Sequence, residues 1–78
     1  MEYIDSALKK AKYEILEKDG SFFGAIPGFD GVYANTKTLE GCREELREVL
    51  EEWIMIRISR NLQLPSVNGI KLKIKKAV

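Results

Sequence analysis

The chain has 78 residues, 13 lysines and arginines against 12 acids for a net charge of +1, 45% hydrophobic residues and one cysteine. A sequence this short makes one domain, residues 1–78, with a modest core that a partner chain often supplements. The near-neutral charge gives no overall pull toward nucleic acid or acidic membrane. The absence of histidine removes the commonest acid–base group and transition-metal ligand; with a single cysteine it also excludes an internal disulfide and a structural zinc site. A lone thiol fits a reducing compartment, no apolar run approaches the ~18–20 residues that span a bilayer, and the acids in "MEYIDSALKK" do not suit a signal peptide. The expectation is a cytoplasmic protein with no membrane partner.

Residues 3–11 place Ile4, Ala7, Leu8 and Ala11 at helical spacing, a short amphipathic helix that must dock to be stable. "YEIL" at 13–16 reads as a strand, "KDGS" as a turn centred on Asp-Gly, and "FFGAIP" as a second strand. "GFDG" is a second turn and "VYAN" a third strand. Thr38 is a suitable N-cap with Glu40 in the first turn. Cys42, Leu46, Val49, Leu50 and Trp53 then recur at helical spacing, which predicts a helix from Leu39 to Arg60. After Pro65 and Asn68-Gly69, "IKLKIK" alternates strictly as a half-buried strand whose lysines suit a sheet edge. The order α-β-β-β-α-β gives an α+β domain. It has an antiparallel three-stranded meander, one long helix on one sheet face, and a last strand returning by a helical crossover, hence parallel to one of the others.

With "KDGS" as a four-residue loop, Ile15 pairs with Gly24 and Leu16 with Phe23. With Gly28, Phe29 and Asp30 in the second loop, Ile26 faces Val32 and Gly24 faces Ala34. Alternation then puts Tyr13, Ile15, Phe22, Gly24, Ile26, Val32 and Ala34 on the helix side. The other face holds Glu14, Leu16, Phe23, Ala25 and Tyr33, too apolar for a face left to water. It requires cover from the N-terminal helix, a second copy of the chain, or another protein.

Catalytic chemistry finds no footing. Metal-dependent hydrolysis needs converging carboxylates, but Glu14 and Glu17 point to opposite faces. Asp19 and Asp30 occupy separate turns, and the helical acids alternate with arginines on a solvated face. Cys42 lies on the helix's apolar stripe, where an inert thiol is the ordinary case, and no serine has a histidine beside it. "GSFFG" and "GFDG" match no phosphate loop. "KLKIKK", with Phe23 or Tyr33 to stack on bases, leaves RNA binding as an alternative.

From Tyr13 to Ile54 the sequence resembles the HicB antitoxin family of bacterial and archaeal toxin–antitoxin systems. The resemblance rests on Glu17, Asp19-Gly20, Phe22-Phe23, Pro27, Phe29, Gly31, Thr38, Glu40, Leu50 and Trp53, in order and almost without gaps. The chain departs from the pattern at Asp30, Val32, Thr36 and Gly41, and its N-terminal helix is an addition. The resemblance implies a partial RNase H-like fold with the last strand beside the first and parallel to it. It implies no catalytic carboxylate set, hence no enzyme and no cofactor or metal. It also implies binding to a HicA-like toxin that cleaves mRNA, and assembly as a homodimer or higher oligomer. Many members carry a C-terminal DNA-binding module; the chain ends after the fourth strand, which argues against DNA binding. We place the expected partner contact on Phe23, Tyr33, Phe29 and Asp30. A self-associating domain without a toxin is the remaining alternative.

Overall fold

The computed structural model describes residues 2–67. Helix α1 spans Glu2–Lys9, strands β1, β2 and β3 span Lys12–Ile15, Phe22–Ala25 and Tyr33–Thr36, and helix α2 spans Leu39–Ser59. The three strands form one antiparallel sheet in the order β1-β2-β3, and α2 packs across β3 and β2. The meander and long helix agree with the sequence expectation, and α1 ends two residues sooner than its periodicity suggests. The expected fourth strand over "IKLKIK" lies outside the described residues.

Two turn chemistries set the register. In the first hairpin Leu16 donates to Ser21 O at 2.8 Å and Gly20 donates back to Leu16 O at 2.8 Å. The four-residue loop is therefore Glu17–Gly20, closed by Gly20 at φ +71°, a conformation other residues resist. The Asp19 carboxylate accepts from the Ser21 N–H at 3.0 Å. Ile15 consequently pairs with Phe22 and Tyr13 with Gly24. That corrects the expected pairing of Ile15 with Gly24 by two residues, and an even shift leaves every side chain on its expected face. The second hairpin has the expected register, Gly24 opposite Ala34. Its connection is a pair of consecutive turns, with Phe29 donating to Ile26 O and Val32 to Phe29 O. Pro27 precedes Gly28 and Asp30 precedes Gly31, both glycines at φ +87°, the pattern of type II turns.

α2 starts where the sequence suggests: Thr38 is its N-cap and accepts from the Gly41 N–H at 3.0 Å. Its buried residues, Cys42, Leu46, Leu50 and Ile54, repeat every four positions and face Ile26, Val32 and Ala34 in the core. Gly24 allows the close approach, since a Cβ there would lie 2.7 Å from the Tyr13 ring and 3.0 Å from Cys42 Sγ.

One of the three covers left open for the second sheet face is removed, and one core assignment is corrected. α1 does not lie on the second sheet face. It packs beside α2, where Tyr3, Ile4 and Ala7 join the same core and Arg47 of α2 pairs with Asp5 of α1 at 3.3 Å. Ile15, expected in the core, is 63% exposed because α2 sits over β2 and β3 and leaves the end of β1 uncovered.

Candidate interaction surface

The sheet face turned away from α2 carries Lys12, Glu14 and Leu16 from β1 and its turn, and Phe23 and Ala25 from β2. Tyr33 and Asn35 come from β3. Cross-strand pairing arranges them in rows: Lys12, Ala25 and Tyr33 in one, Glu14, Phe23 and Asn35 in the next. Among the described residues no element covers this face. The Phe23 and Tyr33 rings are diagonal neighbours, stacked with centroids 6.0 Å apart and planes 25° from parallel. Tyr33 is 59% exposed and Phe23 half-buried. Below them the Asn35 amide donates to Ser21 Oγ at 2.9 Å and to Phe22 O at 2.8 Å, which fixes the far end of the β2–β3 pair. The result is a shelf with an aromatic centre and charges toward its rim.

The structure thus brings together two of the four residues expected at a partner contact. Phe29 is placed elsewhere: it is 4% exposed, on the α2 side of the sheet. Its ring lies 6.3 Å from that of Tyr3 and 5.2 Å from that of Trp53, so it offers no side-chain surface to a partner. Asp30 is exposed at the tip of the same connection, and its backbone carbonyl accepts from Trp53 Nε1 at 3.1 Å. The Arg57 guanidinium lies over the Trp53 ring at 4.7 Å and donates to Gln63 O at 2.8 Å. That corner is therefore a clasp holding the chain after α2 against the core, an arrangement Tyr3 extends by donating to Pro65 O. Asn35 belongs to the surface and was missed by sequence reasoning. Strict alternation from Tyr33 was the signal that could have found it.

Candidate chemical groups are dispersed. Cys42 is fully buried, its thiol directed at Ala34 O at 3.6 Å, and burial pushes its pKa up, with Glu45 acting in the same direction. Glu40, Glu44, Glu45, Glu48, Glu51 and Glu52 are exposed along α2. Asp19 and Asp30 remain in separate turns, and among the described residues no group of three or more potential metal ligands converges. A groove of about 780 Å³ between α1, β1 and α2 is lined in part by Leu8, Ala11, Tyr13 and Arg43. Arg43 closes one wall with its guanidinium 5.7 Å from the Tyr13 ring centre. Among the described residues no helix is long and apolar enough to cross a membrane.

A family model described as UPF0150-like matches residues 2–65. The crystal structure of TTHA0281 from Thermus thermophilus is similar to this chain, with a TM-score of 0.86 at 28% sequence identity, over 96% of this chain and 93% of the other. No curated protein matches.

Proposed function

The chain belongs to the UPF0150-like family, and on that premise we propose that it is a non-catalytic binding domain acting as a HicB-like antitoxin. It neutralises a HicA-type mRNA-cleaving toxin in the cytoplasm by direct contact. The observation that carries this reading is the open sheet face, with Phe23 stacked on Tyr33 and no described element above it. Exposed aromatic rings on a rigid sheet are the material of protein interfaces, and such a patch is costly to leave in water. The ordered sequence match from Glu17 to Trp53 supplies the partner, and the kinship to a partial RNase H-like domain is part of the same proposal.

The test is biochemical. A purified HicA-type toxin cleaves a reporter mRNA with and without an equimolar amount of this chain. Protection of the mRNA, together with a stable complex, supports the reading. Undiminished cleavage with no complex at micromolar concentrations overturns it. RNA binding is a second reading, favoured by the lysine beside the aromatic shelf, Lys12, since exposed rings next to cations also bind single strands. It requires binding to single-stranded RNA that weakens steeply with salt.

A further inference from the structure

We propose that the corner between the Asp30 turn, the end of α2 and the chain that follows it binds a small zwitterion, a free α-amino acid held between Asp30 and Arg57. A cavity of about 240 Å³ lies there, and Gly28, Asp30, Trp53, Arg57, Gln63 and Pro65 are among the residues that line it. It shares no residue with the open sheet face, so the inference goes beyond the antitoxin reading and does not rest on it.

The two charged groups are set in place before any ligand arrives. The Arg57 guanidinium lies over the Trp53 ring at 4.7 Å and donates through Nε to Gln63 O at 2.8 Å. Stacked and pinned in this way, it has its terminal N–H groups left, and they pair with no carboxylate among the described residues. A planar fork of this kind takes a carboxylate through two parallel hydrogen bonds. Asp30 lines the same cavity from a turn in which Gly31 takes φ +87°. Its carbonyl is occupied by Trp53 Nε1 at 3.1 Å. What Asp30 has left for a ligand is its exposed carboxylate, which pairs with no cation among the described residues. Two opposite charges thus border one cavity without an ion pair between them. That decides the class of ligand. A simple anion would meet Asp30 and a simple cation would meet Arg57, whereas a molecule carrying both charges satisfies both. Size narrows the class further, because the cavity is smaller than the about 300 Å³ at which drug-sized sites begin. At Gly28 an added Cβ would meet nothing within 4 Å, and the half-buried Leu64 and Pro65 also line the cavity. The carboxylate of the amino acid lies on Arg57, its ammonium on Asp30, and a small apolar side chain takes the space left over Gly28.

The chain has one tryptophan, and it stands in the cavity wall, so Trp53 emission reports on the site. The full chain is titrated with L-alanine, with calorimetry alongside in case the emission is silent. Saturable binding in the millimolar range is expected, together with a thermal midpoint that rises with L-alanine, as it does for any ligand of the native state. Acetate and methylammonium, singly or mixed at the same concentration and ionic strength, are expected to give neither. Asp30→Asn keeps the backbone carbonyl that holds Trp53 and should weaken binding at least about tenfold, with unchanged circular dichroism. Glu44→Gln removes a carboxylate from the separate groove beside α1 and should bind as the wild type does. Absence of both heat and emission change up to the solubility of L-alanine overturns the site. Equal binding of acetate alone overturns the zwitterion, and full affinity in Asp30→Asn overturns the role of Asp30. A loss in Glu44→Gln as large as in Asp30→Asn would mark a general charge effect and overturn the site as well. None of these outcomes depends on mRNA protection, so the antitoxin reading stands or falls separately.

Discussion

At Gly41 a helix former would ordinarily stand in the first turn of α2. A Cβ added there would meet Thr38 Oγ1 at 2.9 Å and Thr36 Oγ1 at 3.2 Å. The Thr36 hydroxyl is itself held in place, donating to Thr38 O at 2.7 Å. Thr36 and Gly41, both departures from the HicB-like pattern, are thus parts of one local solution in which a hydroxyl occupies the space a side chain would take. Gly41→Ala should therefore fail to deliver the ~1 kcal/mol that helix propensity alone favours. In a Thr36→Ala background it should recover part of that gain. Urea unfolding of the four members of the cycle measures the coupling; additivity would show that the two sites are independent. A second residue-scale prediction concerns Tyr3 and Tyr13. Burial raises both pKa values above 10.0, with Arg57 opposing the shift at Tyr3 and Arg43 at Tyr13. Folding thus favours the protonated phenols. Their contribution is complete below the unfolded pKa of about 10 and is lost as pH rises through the higher folded values. Denaturation midpoints should fall above about pH 10, and fall less steeply in Tyr3→Phe.

Among the elements, α1 is the one whose role changed most between sequence and structure. It is too short to hold itself together, and its Tyr3, Ile4 and Ala7 fill the core beside α2. Tyr3→Ala should cost about 3–5 kcal/mol, the range for removing a buried aromatic side chain, and should shift Trp53 fluorescence through the Tyr3–Phe29–Trp53 cluster. A loss under about 1 kcal/mol, the scale of a surface change, would show that α1 is an appendage. The elements themselves were legible because periodicity and turn residues carry them: Thr38 as N-cap, Cys42 to Ile54 as the buried stripe, and Asp19-Gly20 and Pro27-Gly28 as turns. Two things were not legible. The placement of a four-residue loop depends on which residue takes positive φ, so Gly20 moved the β1–β2 register by two. The side of the sheet on which α1 docks depends on contacts between distant parts of the chain, such as Asp5 with Arg47, 42 residues apart, which no local pattern encodes. The site was legible to the same degree. Phe23 and Tyr33 followed from alternation, whereas Phe29 lay in a turn whose double type II geometry folds its ring inward, and a loop position gives no parity to read.

As a whole molecule, the chain spends its only long helix among the described residues on one side of a three-stranded sheet. The other side is left with an aromatic shelf and a near-balanced set of charges. Among the described residues no group of three or more potential metal ligands converges and the thiol of Cys42 is buried; the proposed function assigns the partner contact to that shelf. The most direct test is growth rescue. A HicA-type toxin is expressed with the wild type or with the Phe23→Lys, Tyr33→Lys double variant, and surviving colonies are counted. If the open face is the working surface, the wild type restores growth and the double variant, folded by circular dichroism, does not. Equal rescue by both would refute that role, because the open face would then be a bystander.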